Sequence, residues 1–87
     1  MTVTLREISR IFNALIEHTR TREEIAQWAH DVQKAEDARQ LELEPKSEAT
    51  RIWKAITYLS GVDLKSSASE YLHDIDDFLA FRERERI

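Results

Sequence analysis

Residues that break or turn the chain are scarce in this sequence, which has one glycine, Gly61, and one proline, Pro45, in 87 residues. An antiparallel β-protein needs many tight turns, which glycine and proline usually supply. A loop that cradles phosphate groups needs several glycines close together. The sequence therefore excludes a turn-rich all-β fold and a nucleotide-binding glycine loop, and it favours helices joined by short connectors.

Apolar residues recur at the 3.6-residue period of an amphipathic helix in four segments. This period predicts helices over residues 5–18, 22–36, 47–60 and 68–84. Three of these helices are preceded by a pair with the spacing of a capping box: Thr4 with Glu7, Thr21 with Glu24 and Ser67 with Glu70. The expected fold is all-α, a compact four-helix bundle in a single helical domain, residues 1–87.

The two connectors after the second and third helices carry the chain-breaking residues. Gly61 predicts the end of the third helix, because glycine readily adopts the left-handed conformation that closes a helix. The segment 36–48 has a weak pattern, and Pro45 within it lacks an N–H group. We expect this segment to be a frayed helix end followed by a connector.

The composition excludes several classes of protein. Without cysteine, the chain has no disulfide framework, no thiolate nucleophile and no cysteine-based zinc site. No apolar run approaches the roughly 18 residues of a membrane span. The first residues, MTVTLREISR, lack the basic start and apolar stretch of a signal peptide. The expected protein is cytoplasmic and has no membrane partner.

No constellation of side chains indicates catalysis. Among the three histidines, only His73 stands at the i, i+4 spacing of a ligand pair, with Asp77, whereas a catalytic zinc takes three protein ligands. The adjacent carboxylates Asp76 and Asp77 would point about 100° apart on a helix. No serine lies in a G-x-S-x-G motif. We therefore expect no enzyme, no catalytic residues, no metal site and no cofactor.

The charge of the chain argues against nucleic acid as a partner. The formal net charge is −4, whereas a nucleic-acid-binding domain presents a basic stripe to the phosphates. The basic groupings all lie next to glutamates, and they are Arg6/Arg10, Arg51/Lys54 and Arg82/Arg84/Arg86. The prediction is no nucleic-acid partner, with a small DNA-binding regulator kept as the least favoured alternative.

An acidic concentration in residues 63–77 is the strongest functional signal of the sequence. On the fourth predicted helix, Glu70, Asp74 and Asp77 share one face, and Phe81 falls on the same face. This face is either a solvated surface that supports solubility or a surface on which acids steer a basic partner and an aromatic residue anchors it. The predicted partner-binding residues are Asp63, Glu70, Asp74, Asp76, Asp77 and Phe81.

Three segments, 52–53, 59–64 and 71–78, resemble the small helical immunity proteins of bacterial toxin systems, of the colicin D type and of polymorphic toxins. The resemblance covers roughly residues 20–80. It implies a non-enzymatic, acidic protein that occludes the active site of a cognate basic toxin domain, for example a nuclease. It also implies that Glu70, Asp74 and Asp77 stand in for phosphate against the toxin's cations. A helical interaction module, or a homodimer, is the alternative.

Overall fold

The computed structural model describes residues 1–87 and contains four α-helices and four short strands. In chain order the elements are β1 (Thr2–Thr4), α1 (Leu5–Ile16), α2 (Arg22–Asp37), β2 (Glu42–Glu44), a 3₁₀ turn (Lys46–Glu48), α3 (Ala49–Leu59), β3 (Lys65–Ser67), β4 (Glu70–Tyr71) and α4 (Ile75–Glu85). The strands pair into two two-stranded sheets. The prediction of an all-α bundle is therefore wrong, because the fold mixes helices with two small sheets.

The first sheet pairs β1 with β2 in parallel, and Val3 stands opposite Leu43. Val3 is buried and Leu43 packs against the core. Parallel strands need a long crossover connection, which α1 and α2 provide here. The expectation of a connector over 36–48 missed β2 because a strand of three residues is too short to show an alternating pattern.

The fourth helix begins at Ile75, later than the predicted start at residue 68. Its N-cap is Asp74, whose Oδ1 accepts a hydrogen bond from the Asp77 N–H at 3.0 Å. The Asp77 carboxylate accepts in return from the Asp74 N–H at 3.1 Å. The predicted cap at Ser67 is therefore wrong, and Ser67 is the last residue of β3. The sequence allowed the error because serine and aspartate are equally good N-cap residues.

The caps of the first two helices lie where the sequence predicts them. Thr4 Oγ1 accepts from the Glu7 N–H at 3.0 Å, although α1 ends at Ile16, earlier than expected. Thr21 and Glu24 form a complete capping box at the start of α2. The left-handed conformation predicted for Gly61 is wrong, because the chain leaves α3 through right-handed backbone and no glycine has a positive φ.

All of the buried residues are apolar, and the four helices contribute most of them. Rings from three helices stack inside this core. The Phe81 centroid lies 4.1 Å from that of Tyr58 and 5.6 Å from that of Phe12. These rings hold α4 against α1 and α3. None of the helices combines the length and the apolar character that crossing a membrane requires.

The Tyr58 hydroxyl is buried and has no hydrogen-bond partner, and burial raises the pKa of Tyr58. A buried polar group without a partner costs about 1–3 kcal/mol. We therefore expect Tyr58→Phe, which keeps the ring, to raise the free energy of unfolding by about 1 kcal/mol. Urea denaturation measures this change. A loss of stability of similar size would show that the hydroxyl is hydrogen-bonded.

Candidate functional site

The outer face of α1 carries two exposed arginines and an asparagine. Arg6, Arg10 and Asn13 follow one another at i, i+4 and i+7, away from the buried stripe of α1. Neither arginine forms an ion pair with a carboxylate. Glu17 stands beyond Asn13 at the same spacing. The first two turns of α1 therefore carry two arginines and the half-buried Glu7, and a second acid follows near the end of the helix.

Arg82 extends this charge from α1 onto α4. Its Nη1 donates to Asn13 Oδ1 at 2.7 Å, and its Nη2 donates to Ser9 Oγ at 3.4 Å. Its Nε donates to the main-chain oxygen of Ile87 at 3.4 Å. No Asp or Glu side chain pairs with Arg82. Its positive charge is therefore held beside α1 without a carboxylate side chain to balance it.

We call this surface the basic edge and define it by five residues: Arg6, Arg10, Asn13, Arg82 and Arg86. Arg86 is exposed, forms no ion pair and follows Arg82 by four residues at the end of α4. The sequence places the arginines of α1 and α4 in separate groups. Packing of α4 against α1, fixed by the Arg82–Asn13 hydrogen bond, brings the two helices together.

Three other cations of the chain, Arg51, Lys54 and Arg84, are paired with carboxylates. Arg51 lies 2.9 Å from Glu48. Lys54 and Arg84 lie 3.6 Å and 3.4 Å from opposite oxygens of Glu85. The basic groups seen in the sequence therefore fall into two kinds. Arg51, Lys54 and Arg84 are paired with glutamates, whereas the arginines of the basic edge have no carboxylate partner.

The predicted acidic face does not form as expected. Glu70 lies on β4, and Asp74 and Asp77 engage each other as the cap of α4, so the three do not share a helical face. Asp76 is exposed in the first turn of α4, and Asp63 is half-buried after α3. The error arises from the late start of α4. A role of these carboxylates in binding a partner stays a prediction.

Phe81, predicted as an exposed anchor on the acidic face, belongs to the core and is 6% exposed. The exposed large apolar residues of the same region are Leu64, Leu72 and Leu79.

The side chains of His, Asp and Glu form no group of three or more that could hold a metal ion.

Arg22, which the sequence did not single out, fastens the β3–β4 hairpin to α2. Its guanidinium lies 4.2 Å from the Tyr71 ring centroid and 4.8 Å from that of Phe78. It donates to the carbonyl oxygens of His73 and Val62. Arg22 is therefore a structural cation, because its charge is enclosed by two rings and two carbonyl groups.

A second bond joins the same hairpin to α2. The Tyr71 hydroxyl donates to Glu23 Oε1 at 2.6 Å. This hydrogen bond lowers the pKa of Glu23 and raises the pKa of Tyr71. The basic edge and the hairpin are thus built in different ways, since the cation under the hairpin is enclosed by rings and carbonyl groups, whereas the arginines of the edge only lack an Asp or Glu partner.

An exposed group of arginines without carboxylate partners on a small helical scaffold is typical of proteins that bind nucleic acids. The family model described as "YxzC DNA-binding protein" matches residues 2–84. The chain therefore belongs to the YxzC DNA-binding protein family.

A curated relative also matches the chain. It is the uncharacterized protein YxzC of Bacillus subtilis (strain 168), 42% identical over 57 residues. The alignment covers 66% of this chain and 41% of the relative, so the chain spans about two fifths of that protein's length. No solved structure matches the chain.

The family match overturns two expectations drawn from the sequence. The resemblance to toxin-immunity proteins is wrong, and with it the assignment of a basic toxin domain as the partner. The exclusion of nucleic acid is also wrong, because the family is described as DNA-binding. That exclusion rested on net charge and on glutamates near the arginines in sequence. The i, i+4 spacing of Arg6 and Arg10 was the one sign of a basic surface in the sequence. The contact of Arg82 with Asn13 joins residues that are 69 positions apart, so no local pattern could predict it.

We expect Arg22→Met to lower the free energy of unfolding by about 2 kcal/mol, because it removes two hydrogen bonds and the contact of a cation with two rings. Arg20→Met is the matched control, since Arg20 is a nearby arginine that makes no hydrogen bond or ion pair. Its change should stay within about 0.5 kcal/mol. Chemical denaturation compares the two variants, and equal effects would contradict the role given to Arg22.

Proposed function

We propose that this protein binds duplex DNA and that the basic edge is its contact surface. One observation supports the proposal above the others: in a chain of the YxzC DNA-binding protein family, Arg6, Arg10 and Arg82 have no Asp or Glu partner. The protein would act by binding alone, without catalysing a reaction. In a bacterial cell it would do so in the cytoplasm, where the chromosome lies.

Arginine suits phosphate chemically. Its planar guanidinium donates two parallel hydrogen bonds to phosphate oxygens and keeps its charge at any physiological pH. Each arginine that neutralises a phosphate releases condensed counterions, which drives binding at low salt. Asn13 and Ser9, neutral neighbours of Arg82, hold its guanidinium in place without cancelling its charge.

The net charge of −4 does not prevent this contact, because the charges of α4 are separated along its axis. Asp74, Asp76 and Asp77 lie at its start, and Arg82 and Arg86 lie at its end. An 11-residue helix is about 16 Å long. Exposed charges are largely screened beyond about 10 Å at 0.1 M salt. A phosphate at the basic edge therefore senses the nearby arginines far more than the distant aspartates.

The glutamates close to the arginines in sequence weaken the basic edge less than the sequence suggests. Glu85 is occupied by Lys54 and Arg84, and its side chain is 15% exposed. Glu17 and Glu83 remain exposed near the two ends of the surface. The arginines of α1 precede Glu17 by two and three helical turns.

Replacing both arginines of α1 tests the proposal. Arg6→Gln combined with Arg10→Gln should weaken the binding of duplex DNA about tenfold at low salt, because two phosphate contacts are lost. The slope of log K against log salt should fall by roughly 2. Fluorescence anisotropy over a series of salt concentrations measures both quantities.

The matched control is Arg51→Gln combined with Lys54→Gln, which also removes two cations from one helix. Both are already paired with glutamates, so the salt slope should change by less than about 1. Equal losses in the two double variants would place the contact elsewhere. No salt-sensitive binding by the unmodified protein would contradict DNA binding itself.

A further inference from the structure

We infer that the basic edge holds duplex DNA by its phosphate backbone and does not read the base sequence. This inference rests on the proposed DNA binding and concerns the kind of DNA that the site accepts. It follows from the width of the edge, from the hydrogen bonds that already engage Asn13 and Arg82, and from the absence of aromatic side chains on it.

The width of the edge prevents insertion into a groove. Phe12 and Phe81 stack, and Asn13 and Arg82 are hydrogen-bonded, so α4 lies directly beside α1 at its outer face. Packed helices lie about 8–10 Å apart, and each is about 10–12 Å across. Two such helices span roughly 20 Å, whereas the major groove is about 12 Å wide and admits one. The pair must therefore lie across the phosphates.

Asn13 is oriented in a way that prevents the usual reading of adenine. Asparagine recognises adenine with both ends of its amide, the oxygen accepting from N6 and the nitrogen donating to N7. Arginine has donors only, so the bond from Arg82 requires the Asn13 oxygen to face α4. One lone pair of that oxygen stays free, but the oxygen is turned toward Arg82, and the amide nitrogen on the other side can donate to a phosphate oxygen.

Arg82 is similarly committed. Of its five N–H donors, one each on Nε, Nη1 and Nη2 is used within the protein. Two donors remain, one on Nη1 and one on Nη2, while the three bonds to the protein hold the guanidinium beside α1. Its charge remains, and a phosphate needs only charge and one donor.

The basic edge also lacks a surface on which unpaired bases could stack. Proteins that bind single strands place exposed aromatic rings along a basic groove. The five residues of the edge include no aromatic side chain, and the nearest rings, Phe12 and Phe81, are buried. Duplex DNA, which presents phosphates in two continuous rows, is the form that this surface fits.

Competition between probes of different sequence tests the inference. The probes are three duplexes of roughly 20 base pairs, about two helical turns, one of A·T pairs, one of G·C pairs and one mixed, together with a mixed single strand. The three duplexes should bind within about threefold of one another, with a salt slope of about −3 to −4 for four arginines. The single strand should bind more weakly than the mixed duplex.

A preference of more than about tenfold for one duplex, or for a sequence selected from a random pool, would overturn the inference, because a specific complex loses roughly fivefold to 150-fold in affinity for each misread base pair. Tighter binding of the single strand would also overturn it. Neither result would remove the proposed binding of duplex DNA, which fails if no duplex binds at low salt.

Two variants of Asn13 give a second readout. Asn13→Asp places a carboxylate against Arg82 and should weaken all three duplexes by the same factor, roughly threefold to tenfold, because one arginine is neutralised. Asn13→Ala should likewise leave the ratios between duplexes unchanged. If Asn13 read a base, its removal would change the binding of one duplex and spare the others, which would contradict the inference.

Discussion

The stacking of Phe81 against both Tyr58 and Phe12, which also stack on each other, determines where the last turns of α4 lie. Burial of this ring fixes the rotation of α4, and the next residue, Arg82, then stands about 100° further around the helix. That rotation brings its guanidinium to Asn13 on α1. The basic edge is therefore a consequence of core packing, because α1 and α4 could not share a charged surface without the stacked rings.

The function of the chain depends on which of its charges the fold leaves free. Arg22 is enclosed by two rings, and Arg51 and Lys54 are paired with glutamates. These cations have partners within the protein, whereas the arginines of the basic edge have no Asp or Glu partner and, in the proposed function, contact DNA. Net charge adds paired and unpaired cations together with all of the acids. For this reason the net charge of an acidic chain does not show that part of its surface is suited to DNA.

The sequence predicts the parts of the fold that local signals specify. Apolar period and capping residues placed α1 and α2 nearly correctly, because both signals act within one or two turns. The cap of α4 is Asp74 and not the predicted Ser67, so Glu70 lies on a strand and not on the helix. Strands of two or three residues are too short to show a period. The contact between Asn13 and Arg82 is tertiary, and no local pattern reports it.

In the proposed complex, α1 and the end of α4 form the contact surface for DNA. An NMR titration of isotope-labelled protein with duplex DNA tests this claim most directly, because amide chemical shifts report each residue separately. We expect the largest changes at residues 6–13 and 82–86, decreasing as salt is added. Changes concentrated at residues 63–77 or along α2, with those two segments unaffected, would contradict the account.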